Sequence, residues 1–176
     1  MTRRAALALG LALVAQQALA HPHFNKTITA KLPSGVEVTI VYNTTPANET
    51  HATETKVGEF VTPRRPTIKI STEVKTGGQT IPAGEYMIGV IKTSDKDWQM
   101  ALYPGQIPRG EAPDKAKLIK LESQFETGKG TAEHMLIDVK PGHDKFQGRA
   151  VLTMHFGTLF LSGALTDAPP AAPVAK

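Results

Sequence analysis

From residue 27 to residue 165 apolar and polar side chains change places at nearly every second position. Ile28, Ala30 and Leu32 fall on one face of an extended segment; Val36, Val38, Ile40 and Tyr42 then alternate with Glu37, Thr39 and Asn43. Pro33-Ser34-Gly35 lies between the two runs. Period-two patterning with β-branched residues, broken by a Pro/Gly turn, predicts a β-hairpin. Ile68, Ile70, Thr72 and Val74 predict a half-buried strand that Gly77-Gly78 stops. Ile81-Pro82-Ala83-Gly84 is the next turn and leads into a strand over 85–91, with Tyr86, Ile88 and Val90 on one face. Asp95-Lys96-Asp97 turns the chain into Trp98, Met100 and Leu102. Residues 118–125 read as a strand, or 116–121 as a short helical turn. Strands follow over 133–139, with Met135, Ile137 and Val139 inward, and over 148–158, with Ala150, Leu152, Met154 and Phe156 inward. Residues 159–165 form the last.

Two segments break the pattern. Residues 44–58 are polar, contain Pro46 and Asn48, and predict a long surface loop. Residues 104–114 carry Pro104, Gly105, Pro108, Gly110 and Pro113, and predict an irregular one. Helical periodicity and internal repeats are absent. The expected fold is all-β: a single-domain antiparallel β-sandwich, jelly-roll-like or a small barrel, of about eight or nine strands. Binding concentrates on long loops carried by a rigid scaffold, so 44–58 and 104–114 are the expected contact surfaces.

The ends of the chain set its expected location. Arg3 and Arg4, an apolar run over 5–14, and Ala18-Leu19-Ala20 compose a secretory signal peptide. The arginine pair is that of a twin-arginine signal, but the residues after it do not complete the pattern. Residues 1–20 are expected to be removed, 21–166 to form the domain, and 167–176 to be an Ala/Pro tail too poor in apolar surface to order itself. The expected location is periplasmic or secreted. Cleavage leaves 156 of the 176 residues, enough for one domain that needs no metal or disulfide to fold. The chain has no cysteine, which excludes disulfides, zinc–thiolate and iron–sulfur ligation, cysteine nucleophiles and lipid anchoring at the cleavage site. Loss of Arg3 and Arg4 leaves 18 Lys and Arg against 16 Asp and Glu, with no dense basic run, so a nucleic-acid partner is not expected. No second apolar run reaches the ~20 residues of a membrane span.

One stretch carries a family resemblance. Val74-Lys75-Thr76-Gly77-Gly78-Gln79-Thr80-Ile81-Pro82-Ala83-Gly84-Glu85-Tyr86, continuing through Ile88 to Trp98 and Leu102, resembles the signature of a bacterial secreted family designated domain of unknown function 2911. Residues 150–161 are similar to that family's closing strand pair. The resemblance covers most of 60–165 and implies a secreted, mostly β fold with no assigned reaction. The family's Trp-Arg-x-Gly-Ala-Asn stretch is replaced here by Val61-Thr62-Pro63-Arg64-Arg65-Pro66. Pro-Ala-Gly-Glu-Tyr also reads physically as turn chemistry: Pro82 fixes φ, Gly84 permits φ > 0, and Tyr86 enters the core with a hydroxyl that needs a partner.

The candidates for chemistry are histidines. Cleavage after Ala20 makes His21 the first residue, so its α-amine and ring form a bidentate chelate beside His23. In an extended chain His21 and His23 project to the same side. Nitrogen-rich tetragonal sites suit Cu(II), and Pro22, lacking an N–H, closes off a site built on successive backbone amides. What remains is similar to the histidine brace of secreted copper proteins. Such a brace needs an imidazole from the body of the fold, and His134 and His155 are candidates because each faces away from the apolar side of its strand. The alternative is that they are ordinary surface histidines. Glu133 and His134 point to opposite strand faces and make no dyad, while Asp138, His143 and Asp144 flank the Pro141-Gly142 turn and form either a small polar cluster or, as turn residues mostly are, solvated side chains. There is no Gly-x-Ser-x-Gly elbow, P-loop, Rossmann fingerprint or His-Glu-x-x-His motif. The sequence therefore predicts an exported, non-catalytic domain that binds an unidentified ligand or protein, with a copper protein as the alternative. Trp98 reads as core, and the low aromatic content gives little sign of a carbohydrate-stacking platform.

Overall fold

A computed structural model describes residues 23–166 of the chain. The leader, His21, Pro22 and the tail over 167–176 lie outside the described residues. Strands β1 (Asn25–Lys31) and β2 (Glu37–Asn43) form the expected hairpin, with Ile28 opposite Ile40 and Ala30 opposite Val38. A helix, α1 (Glu49–Glu54), follows, then β3 (Phe60–Val61), β4 (Thr67–Ile70), β5 (Val74–Thr76) and β6 (Gln79–Ile81). Next come β7 (Gly84–Ser94), β8 (Asp97–Pro104) and β9 (Ile119–Lys120). The chain closes with β10 (Ser123–Pro141) and β11 (Ala150–Ala164). The fold is all-β and antiparallel, as expected. The large sheet runs β1-β2-β4-β7-β8-β9, with β3 also on β7; β10-β11 and β5-β6 are two-stranded ribbons.

The elements depart from the sequence reading in four places. Eleven strands stand where eight or nine were expected, and they close no barrel among the described residues. The strand read over 68–74 breaks at Ser71, whose hydroxyl accepts from Glu37 N, and Val74 pairs with Ile81 instead. Residues 44–58 are not all loop, because Asn48 caps α1 with its side-chain oxygen on Thr50 N. The four strands expected beyond residue 118 become a 3-10 turn at Lys115–Lys117, the short β9, and two long strands.

Those long strands make a ribbon that lies over one face of the sheet. Their shared core takes Ile40, Ile68, Ile88, Met100 and Leu102 from the sheet and Met135, Ile137, Leu152, Met154 and Leu161 from the ribbon. Each such side chain contributes about 1.5–3 kcal/mol by leaving water, so this layer dominates the fold's stability. A smaller cluster of Phe60, Met87, Ile91, Ala101, Tyr103 and Ile107 covers the sheet's other face. Gly89 is what lets Phe60 lie flat on β7, since a Cβ there would run into the Phe60 ring.

The ribbon is stitched to the sheet at both ends. Leu121 N donates to Met100 O at one side, and Met135 N donates to Thr45 O (2.8 Å) and Ala47 N to Glu133 O (2.9 Å) at the other. Two irregularities permit the second join. Thr127 and Ala132 pair with Leu159 and Gly157, so four residues of β10 stand against Thr158 alone; between Ala132 and Leu136, three residues stand against Phe156. Freed from β11, Glu133 and Met135 turn their backbone groups to the continuation of β2.

Candidate functional site

Where ribbon and sheet part, a cavity of about 450 Å³ opens between them. Trp98 of β8, Val90 of β7 and Val61 of β3 line its sheet side; Phe125, Met154, Phe156, Leu159 and Leu161 line its ribbon side. Period-two alternation puts these residues on the inward faces of their strands. The bulges of β10 and the wedge of α1 stop the two faces from closing on one another. A sealed apolar void of that volume would cost about 10 kcal/mol at ~24 cal/mol per Å³, as much as a domain's whole stability. The cavity instead opens to solvent past a polar rim of Asn48, His51, Thr55, Thr62 and Arg64.

Helix α1 forms one wall of the opening, presenting His51 and Ala52, and it is clamped at both ends. At its start the Glu49 carboxylate accepts from Thr158 N and from Thr158 Oγ1 (3.1 Å) on β11. Gly157 makes room for that contact: it has φ +63°, and a Cβ there would collide with the Glu49 side chain. At the helix's end the Lys92 ammonium, buried beneath it, donates to Thr53 O (3.1 Å) and Thr55 O (2.9 Å). A cation at a helix C-terminus also meets the negative end of the backbone dipoles. The same ammonium lies 5.9 Å from the Trp98 ring centroid, which ties the clamp to the cavity wall.

The other rim is a turn with unusual backbone. Arg64 and Arg65, between Pro63 and Pro66, both take φ 55°, a region that favours glycine. Arg65 N donates to Thr62 O at 3.2 Å. Arg64 lines the cavity, whereas Arg65 lines a shallower depression of about 290 Å³ on the opposite face of the sheet, with Arg109 and Glu111. Among the described residues no carboxylate pairs with Arg64.

The sequence-predicted histidines lie elsewhere. His23 is exposed, with Nδ1 3.3 Å from Thr44 O, and His21 is outside the described residues. His134 bridges Pro46, and His155 lies opposite Leu136, its ring edge-on to Phe160 at 5.4 Å. Among the described residues, no three of the His, Asp and Glu side chains group to hold a metal. Of the two expected contact loops, 44–58 borders the large cavity and 104–114 the shallow depression. Arg64 and the aromatic walls Phe125 and Phe156 are not among the sequence-predicted site residues. Trp98, expected in the core, is buried and is also a wall of the cavity.

No family model matches the chain, and no curated protein or solved structure matches it either. Among the described residues no helix is long and apolar enough to cross a membrane.

Proposed function

We propose that this protein is an exported, non-catalytic binding protein whose ligand sits in the cavity between the sheet and the ribbon. The observation that carries the reading is the lining: aromatic and aliphatic walls, a polar rim on one side, and a volume within the ~300–1,000 Å³ of small-molecule sites. Well-packed interiors leave few voids larger than a water, so an apolar cleft of this size belongs to recognition more than to packing. Binding is favoured over catalysis because no rim hydroxyl among the described residues is hydrogen-bonded to a base: Thr55 Oγ1 donates to the His51 carbonyl, and Thr62 Oγ1 bonds to no basic side chain.

The test is a titration with the neutral fluorophore N-phenyl-1-naphthylamine, against the wild-type protein and an Ala52→Trp variant that fills the cavity from α1. Saturable binding to the first, and at least about tenfold weaker binding to the second, supports the reading. Equal binding by both places the fluorophore elsewhere and removes it.

The second reading is a copper protein using the amine and ring of His21 with His23 or a body histidine. It is favoured by His155 Nε2, a buried ring nitrogen with no hydrogen-bond partner among the described residues. The strand connections also lead from His23 by way of Thr44 and Pro46 to His134, all at one end of the fold.

A further inference from the structure

We infer that the ligand is an amphiphilic organic anion: an apolar body within the cavity walls and one carboxylate-type group at the rim, held by Arg64. The inference rests on the cavity being the binding site and adds the chemistry of what fills it. Three observations converge on it. Arg64 lines the opening, and no acidic side chain among the described residues pairs with it, so its fork of donors is available to an incoming carboxylate. The cavity lining contains no acid, and the two acids of α1 are engaged elsewhere: Glu49 on Thr158, and Glu54 3.9 Å from His51 Nδ1. The third observation is the backbone. Arg64 holds φ 55°, which any side chain bearing a Cβ adopts at a cost, and Arg65 does the same beside it.

Glycine would make this turn without strain. The arginines therefore destabilise the turn, and what they supply in return is one arginine lining each of two depressions on opposite faces of the sheet. The cavity's volume matches the share of roughly fifteen waters at ~30 Å³ each. That room suits a chain or ring system of medium length, not a bulky lipid. Walls of Phe125, Phe156 and Leu159 offer such a body no hydrogen-bond partner and Trp98 offers only its indole N–H, so the charged end finds its strongest donors at the rim.

The experiment compares decanoate with decanol as displacers of N-phenyl-1-naphthylamine from wild-type protein, Arg64→Gln and Arg64→Gly. The expected result is that decanoate displaces about tenfold more tightly than decanol from the wild type, one charge-assisted contact at a wet rim. Both variants should lose that preference while keeping the affinity for decanol. Arg64→Gly should in addition melt about 2–4 °C higher, because the turn is relieved. A structural arginine would show the reverse, with lower stability and unchanged preference. Equal affinity for acid and alcohol in the wild type, or a preference that survives Arg64→Gln, overturns the anion inference and leaves the cavity standing. Failure of both compounds to displace the fluorophore sinks the two together.

Discussion

Replacing Lys92 with methionine separates the contacts that hold α1 over the cavity. The ammonium reaches the carbonyls of Thr53 and Thr55 at 3.1 and 2.9 Å, Asp95 Oδ1 at 3.9 Å, and the Trp98 ring at 5.9 Å. Asp95 is 92% exposed, so water screens that pair and it is worth under ~0.5 kcal/mol. The ring contact is worth about 0.5–1 kcal/mol, and a methionine sulfur recovers a similar amount against the same ring. The two carbonyl bonds are charge-assisted; at the low end of their range, about 1.5 kcal/mol each, they dominate. Removing a buried ammonium returns several kcal/mol of desolvation, against which the two carbonyls left without a donor cost about 1–3 kcal/mol each, so these terms offset to a gain of about 1 kcal/mol. The net loss is therefore about 2 kcal/mol. Urea unfolding followed by circular dichroism should show that loss for Lys92→Met, with a melting temperature lower by about 4–8 °C. Asp95→Asn should stay within about 0.3 kcal/mol of the wild type. If Asp95→Asn costs as much as Lys92→Met, or Lys92→Met costs nothing, the carbonyl clamp is not what secures the helix.

Three further outcomes are expected. Gly89→Ala should cost about 2–3 kcal/mol in urea unfolding, because its methyl enters the Phe60 ring and meets Val61 O at 2.7 Å; a neutral effect would show that β3 is free to move off β7. Burial holds the Tyr86 pKa above its ordinary 10.0, and its hydroxyl donates to Pro82 O at 2.7 Å. A raised folded-state value means that this stability is fully present below the unfolded pKa and is lost as pH rises through the folded one. Urea midpoints of the wild type should thus fall faster above pH ~10 than those of Tyr86→Phe, and parallel curves would reject that linkage. For the copper reading, Cu(II) should bind tightly to protein beginning at His21 and weakly to protein with one residue added before it. Equal affinity in both removes the brace.

Much of the fold was legible because short-range alternation decides which face a strand buries. Val36, Val38, Ile40 and Tyr42 announced β2, and the Pro82–Tyr86 turn announced its own hydroxyl bond. The long ribbon was harder to read. Residues 128–131, with Gly128 and Gly130, have the composition of a turn, yet β10 carries them as an unpaired bulge within one strand. Helix α1 is six residues with none buried, so no apolar periodicity marked it, although Asn48 ahead of Glu49 and Thr50 was a readable cap. The cavity was not legible at all. Trp98 and Phe156 read as inward-facing and Phe125 only as the end of a strand; that the inward faces separate at this end depends on bulges and on Glu49 reaching Thr158, 109 positions away. Arg64 carried a signal that went unused, because two arginines between prolines demand an explanation that net charge does not provide.

The most direct measurement uses methionine methyl groups as reporters in an NMR titration with N-phenyl-1-naphthylamine. Met154 lines the cavity and Met87 lies buried on the far face of the sheet, so one reports occupancy and the other is an internal control. Occupancy of the cavity predicts a saturable shift of the Met154 methyl with Met87 unmoved. A Met154 resonance that stays in place while the fluorophore binds, or a shift confined to Met87, would contradict the proposed site.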